Sequence, residues 1–185
     1  MKLSVKQMML IALFTALTAV GAFIKVPLPP VPITLQTLFV LMSALLLGSR
    51  AALISQLLYI FIGLIGIPVF AYGAGPGYIL HPTFGYIAGF AISAFIVGKL
   101  TEKLSYSKYR IYKLFLCCIL GMAIYYGTGV FHLWIISNII NNSPLSVSSI
   151  LWKGVVIFIP GDILKSLAAS MITTKINPHI RLIRN

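Results

Sequence analysis

Apolar residues run along this chain in six long stretches, separated by short segments rich in proline, glycine or basic residues. The pattern predicts helices at 5–24, 34–47, 51–66, 83–100, 112–135 and 151–174. A helix needs about 20 apolar residues to cross the roughly 30 Å hydrocarbon core of a bilayer. The first run follows Lys2 and Lys6 and so looks like a signal peptide at first sight. It is too long for one, since a signal-peptide core spans roughly 7–15 residues, and no small-x-small cleavage site follows it. It is read as the first transmembrane helix.

Composition makes the membrane reading general. Hydrophobic residues make up 59% of the 185 positions and charged residues only 9%, against about 25% charged in soluble domains. That excludes a soluble enzyme, a disordered chain and a disulfide-stapled secreted domain. It leaves an integral membrane protein, with residues 1–185 forming one transmembrane domain and no internal repeat. Cys117 and Cys118 adjoin inside an apolar run; neighbours there form neither an ordinary disulfide nor a zinc site, and they read as small buried residues.

The net charge is +12, from 14 Lys and Arg against two acids, Glu102 and Asp162. No basic stretch lies on a soluble module, so nucleic-acid binding is not indicated. In a membrane chain the excess is topological, because Lys and Arg collect on the cytoplasmic side. With the N-terminus inside, that side holds Lys2, Lys6, Arg50, Lys99, Lys103, Lys108, Arg110, Lys113, Lys175, Arg181 and Arg184. The other side holds Lys25 and Lys153, and Lys165 lies within a span. The expected fold is an all-α bundle of six transmembrane helices with both termini cytoplasmic.

The second run is short. Fourteen helical residues cover about 21 Å, less than the core thickness. Pro32-Ile33-Thr34 can supply the missing depth by dipping into the bundle from outside, which places the proline-rich segment 26–32 over an outward-facing cavity. Non-helical backbone at membrane depth is tolerated where protein or a water-filled cavity surrounds it. Polar Thr34, Gln36 and Thr37 crowd that end. A tilted short helix beside a thinned bilayer is the alternative.

The sharpest chemical feature is Pro160-Gly161-Asp162-Ile163-Leu164-Lys165. Asp162 is the sole acid in any predicted span. A charge at the bilayer centre costs about 3 kcal/mol on insertion scales, so both charged residues should face the protein interior. At i and i+3 they share a helix face. They fit a ligand site; they also fit a self-neutralising pair that locks the bundle. Pro160 lacks an N–H and should break the ladder, freeing the Val156 carbonyl. The helix restarting after it turns its positive N-terminal end outward, which suits an anion. A ligand carboxylate would then meet Lys165 or those N–H groups, leaving Asp162 to accept from donors on the ligand.

Other features are weaker. The glycine-rich loop from Tyr72 through Gly75 to Tyr78 is not a phosphate loop, since no G-x-x-x-x-G-K-[ST] occurs anywhere. It suits a cover over a small ligand or a plain connector equally. His81 reads as a hydrogen-bonded structural residue. Asn138, Asn141 and Asn142 read as loop residues, and Trp134, Trp152 and many tyrosines as an interfacial belt. Ala12 and Ala16 form a small-xxx-small face continued by Ala19, and Gly85 and Gly89 form another. Such faces serve internal packing by default, or docking of another membrane protein.

Five segments together resemble the BioY family, the biotin-binding S-components of energy-coupling-factor (ECF) vitamin transporters. They are 12–22 (ALFTALTAVGA), 31–41 (VPITLQTLFVL), 63–71 (GLIGIPVFA), 75–90 (GPGYILHPTFGYIAGF) and 160–165 (PGDILK). Where the family usually has G-P-T-G-G-Y, this chain has His81-Pro82-Thr83-Phe84-Gly85-Tyr86. The resemblance implies biotin bound near the outer face, with Asp162 and Lys165 reading the ureido N–H groups and the valerate carboxylate. It implies a gating first loop that includes Thr34 and Gln36, and further contacts from Tyr72, Gly75 and Tyr86. It implies that Ala12 and Ala16 dock on a transmembrane coupling subunit, which two ATPase subunits energise.

The expected function is biotin capture in a bacterial cytoplasmic membrane, with no catalytic residues, metal or cofactor. A stand-alone proton-coupled carrier of a small carboxylated solute is the alternative. A membrane enzyme fits poorly, because one acid and one lone histidine near the site make no catalytic set. A purely structural role would leave Asp162 and Lys165 unexplained.

Overall fold

Ser4 starts the first helix. Its hydroxyl accepts the Gln7 N–H and the Gln7 side chain accepts the Ser4 N–H, a reciprocal cap. In this computed structural model residues 4–104, 110–141 and 144–184 are described, with side chains described through Ile176. Lys2, Lys108 and Asn142, and the side chains of Arg181 and Arg184, lie outside the described residues.

Helix α1 (Val5–Phe23) leads into a hairpin of β1 (Lys25–Val26) and β2 (Ile33–Thr34), whose connection contains a cis Pro29–Pro30 bond. Helices α2 (Gln36–Leu47) and α3 (Ser49–Leu64) follow, joined at Gly48, whose φ of 82° favours glycine. A 3-10 turn, Pro76–Leu80, precedes α4 (Phe84–Glu102). Helix α5 (Arg110–Ile135) ends in a π-turn, Ile136–Ile140. A short α6 (Val147–Leu151), a π-turn (Trp152–Val156) and α7 (Ile159–Arg184) together make the last crossing. The chain is all-α apart from the small hairpin and crosses six times. Four of these crossings are long and apolar enough to span a bilayer alone; α2 and α3 are shorter.

Helix α2 explains its own shortness. It touches α1, α3, α4, α5 and α7, and nine of its twelve residues are buried. A helix enclosed by other helices need not match the lipid thickness, so a thinned bilayer is not required. The hairpin supplies the remaining depth, with Leu35 N–H bonded to the carbonyls of Gly21 and Ile24. A Cβ at Gly21 would stand 2.9 Å from the Gln36 backbone nitrogen, so glycine is what brings α1 against the start of α2.

Small residues divide between the two readings. Gly85 and Gly89 face α5, where a Cβ would meet His132 at 2.2 Å and Thr128 at 2.0 Å; this is internal packing. Helix α1 buries Ile11, Phe14, Thr15, Thr18, Gly21 and Ala22, while Ala12 and Ala16 are exposed on the other side. The default of internal packing therefore fails for those two alanines.

Two further expectations are corrected. Trp134 and Trp152 are exposed, as a belt requires, but Tyr59, Tyr78, Tyr86, Tyr125 and Tyr126 are buried. The aromatic rings fill the bundle and the phenol groups find protein partners there. Nor does Pro160 lie at a mid-helix break. It sits in the first turn of α7, where its missing N–H is tolerated. The irregularity lies upstream, in the π-turn at Trp152–Val156 and the 157–158 turn.

Candidate functional site

Four side-chain donors from three elements converge on Asp162. It lies in the first turn of α7 and is 2% exposed. From α5, the hydroxyls of Tyr125 and Tyr126 donate to Oδ2 at 2.8 and 2.7 Å. Their rings meet edge to face, 4.9 Å apart, which lets neighbouring residues reach one oxygen. From α2, Thr37 donates to Oδ1 at 3.1 Å. One turn along α7, Lys165 forms an ion pair with the same Oδ1. Lys165 Nζ also donates to the Thr34 carbonyl of β2 at 2.9 Å, so the pair ties the hairpin to the last helix. A buried carboxylate with no partners costs several kcal/mol, and this shell of donors compensates it. Asp162 is therefore not free, as its sequence context suggested: a ligand donor must exchange with one already present.

A second chain of bonds braces the hairpin. Thr34 Oγ1 donates to Gln36 Oε1 at 3.1 Å, Gln36 Nε2 donates to the Tyr59 hydroxyl at 2.7 Å, and that hydroxyl donates to the Val69 carbonyl at 3.1 Å. Tyr86 is held differently. Its hydroxyl donates to the Gly154 carbonyl at 2.8 Å. Its ring lies where a Cβ at Gly129 would fall, 2.3 Å away, so only glycine fits at 129.

Asp162 and its donors, with Thr34, Gln36 and Tyr86, wall a partly open pocket. Val31 and Pro32 of the hairpin segment, Ala71 of the loop, and Ile87, Phe90 and Phe158 supply apolar wall. Thr34, Gln36, Tyr86, Asp162 and Lys165, all singled out from sequence, are brought together in the lining. Tyr72 and Gly75 are not part of it. Tyr72 packs against His81 at 5.4 Å, with Lys25 Nζ 4.5 Å over its ring. Gly75, at φ 99°, opens the 3-10 turn and donates its N–H to the Gly63 carbonyl at 2.8 Å. Lys25 itself donates to the Ala71 carbonyl, joining the hairpin to this loop.

The sequence reading did not assign Thr37, Tyr78, Thr83, Tyr125, Tyr126 and Phe158 to the site. Thr37 was visible as part of a polar crowd. The signal for Tyr125 and Tyr126 was two adjacent phenols in the middle of an apolar run. In the loop, Tyr78 and Thr83 share a hydroxyl contact of 3.0 Å, and burial raises the Tyr78 phenol above its usual pKa. Among the described residues no cluster of His, Cys, Asp or Glu could hold a metal ion.

The site occurs in a recognisable whole. Residues 1–182 match the model of the BioY family. A probable biotin transporter of Lysinibacillus sphaericus is 39% identical over 98% of this chain and 91% of its own length. The biotin transporter of Thermotoga maritima is 34% identical over 92% of this chain and 95% of its own. A crystal structure of the S-component for biotin from an ECF-type ABC transporter superposes with a TM-score of 0.79, at 27% identity, over 98% of this chain and 92% of that one. With matches that run the length of the chain in family model, sequence and fold, this protein belongs to the BioY family.

Proposed function

We propose that this chain is a biotin-capturing S-component of an ECF-type transporter, not an enzyme. The observation that carries the reading is the Asp162–Lys165 ion pair in the wall of a largely apolar cavity. Biotin has an apolar bicycle and chain with N–H donors at one end and a carboxylate at the other. The ion pair holds a matching acceptor and a matching cation. Lys165 is the donor that biotin displaces from Asp162, because the ligand brings it a carboxylate in exchange. That vacates Oδ1 for a ureido N–H. Lys165 leaves the Thr34 carbonyl in the same step, so the hairpin carrying Thr34 and Gln36 acts as the gate.

The chain lies in a bacterial cytoplasmic membrane with both termini inside. Support comes from the bundle end that carries Arg50, Lys99, Lys103 and Arg110: Ser49 and Glu102 tie the α2–α3 turn to the end of α4 there. Such a basic end faces the cytoplasm, and the cavity lies toward the opposite end. The partners are a transmembrane coupling subunit and two ATPase subunits. The exposed Ala12 and Ala16 of α1 fit the docking face, because small residues admit a partner helix closely. Replacing both by Trp should abolish uptake while biotin binding persists; loss of binding in step with uptake would remove that assignment.

The function is tested by calorimetry on the purified chain without ATP or partners. Biotin should bind, and thiamine and riboflavin should not. Equal binding of all three, or of none, would overturn the reading.

A further inference from the structure

His81 ends the 3-10 turn before α4 and is built into the cavity wall through Thr83. Thr83 is 5% exposed and lines the cavity. Its backbone N–H donates to His81 Nδ1 at 3.3 Å. An N–H can only donate, so Nδ1 is the unprotonated nitrogen of a neutral ring. The Thr83 hydroxyl lies 2.8 Å from the same Nδ1 and must therefore be its donor. Tyr78, 3.0 Å away, then donates to Thr83 Oγ1. The chain of protons runs Tyr78 to Thr83 to His81. It leaves Thr83 Oγ1 with a lone pair and no proton to give, beside a cavity that also holds the acceptor Asp162.

We infer that neutral His81 positions Thr83 as a second hydrogen-bond acceptor for the ligand, so that a proton on the imidazole weakens capture of a molecule bearing N–H donors. This rests on the proposed function and adds to it: Asp162 takes one ureido N–H and Thr83 the other. A proton on Nδ1 changes that atom from acceptor to donor. The Thr83 N–H then loses its partner and the Thr83 hydroxyl proton must leave His81. With Tyr78 still donating to Thr83 Oγ1 and Nδ1–H donating to the same oxygen, both of its lone pairs are taken and its own proton turns into the cavity, opposing the ligand N–H.

The surroundings favour the neutral ring. The His81 ring stacks on Tyr78 at 4.8 Å and contacts Tyr72 at 5.4 Å. Lys25 lies over the Tyr72 ring, and His132 of α5 approaches the His81 carbonyl with Nε2 at 3.3 Å. None of these is an acid, so an imidazolium has no counter-charge. Burial, reinforced by His132, holds the His81 pKa below its usual value. The ring is neutral at pH 7.5 and takes up a proton only as the pH falls below the usual histidine range. The His81 carbonyl accepts, so His132 Nε2–H is the donor of that contact.

The test is biotin affinity of the full chain in lipid nanodiscs at pH 7.5 and 5.5. Wild type should lose about three- to tenfold, the range expected for one hydrogen bond. His81→Asn, whose amide oxygen replaces Nδ1 as a non-titrating acceptor, should rescue binding and flatten the profile. Thr83→Val should bind more weakly at pH 7.5 and show no step, and Thr83→Ser should keep the wild-type step. A flat wild-type profile, a wild-type step in His81→Asn, or wild-type behaviour in Thr83→Val would each overturn the inference while leaving biotin capture standing. Absence of biotin binding at both pH values would overturn the functional reading and this one together.

Discussion

The two acids of this chain sit at opposite ends of the bundle and do different work with the same carboxylate. Glu102 closes α4 in an exposed position. Its Oε1 accepts the Ser49 N–H at 2.8 Å and the Ser49 hydroxyl at 3.0 Å. That places a negative charge at the N-terminus of α3, where the helix dipole favours it. Gly98 permits the approach, since a Cβ there would lie 2.5 Å from the Ser49 nitrogen. Asp162 is buried and takes four side-chain donors from α2, α5 and α7. Water can replace a partner of Glu102, so its bonds act as a staple. No such replacement is at hand for Asp162, so under the proposed function a ligand enters by exchange with a donor already present. Burial, rather than the identity of the acid, separates the staple from the proposed binding group.

The largest effect should come from Asp162→Asn. Loss of a charged hydrogen bond to the ligand costs about 1.5–3 kcal/mol, and Lys165 is left without its counter-ion. Calorimetry should show biotin and biotin amide weakened by similar factors, because the lesion is at the ureido end. Next comes Lys165→Ala, which should weaken biotin strongly and the amide far less. A cycle of the two ligands against the two proteins isolates that coupling. If acid and amide suffer equally, the lysine is only a counter-ion to Asp162, and the site end becomes a staple like the other. Tyr126→Phe should act more weakly, by about 1 kcal/mol, because Tyr125 still serves Oδ2; affinity and thermal unfolding should fall together. Glu102→Gln should have the smallest effect. Stability should drop by about 0.3–1 kcal/mol, with the biotin Kd within twofold of wild type. A fall in affinity that tracks the loss of stability would show the two ends to be coupled.

Much of the architecture could be read from the chain because membrane insertion is governed by local free energies. Each apolar run is judged residue by residue against the hydrocarbon core, and the six runs match six crossings with ends shifted by a few residues, except that the last helix runs on past 174 to Arg184. The charged pair in the last span was equally legible, since an ionisable group at that depth is costly wherever its partners lie. Thr34, Gln36 and Tyr86 were reached through the family pattern, and the structure brings them to one wall. Ala12 and Ala16 were visible as a small-residue face, but periodicity alone does not say which neighbour that face meets.

Tertiary structure decided the rest, above all who surrounds Asp162. Thr37 and Asp162 are 125 positions apart, and the two tyrosines 36 and 37 positions away. A tyrosine is equally at home at the lipid interface or in a core where its hydroxyl finds a partner. Tyr125 and Tyr126 were therefore ambiguous until α5 was packed against α7. The same holds for His81 and Thr83, whose hydrogen-bond direction is set by a turn that no hydropathy pattern encodes. Hydropathy and charge along the chain determined that the protein crosses a membrane six times and that Asp162 and Lys165 turn to its interior. Only the packing of helices from distant parts of the chain decided what completes that pair, because burial makes each polar group depend on neighbours that sequence does not place beside it.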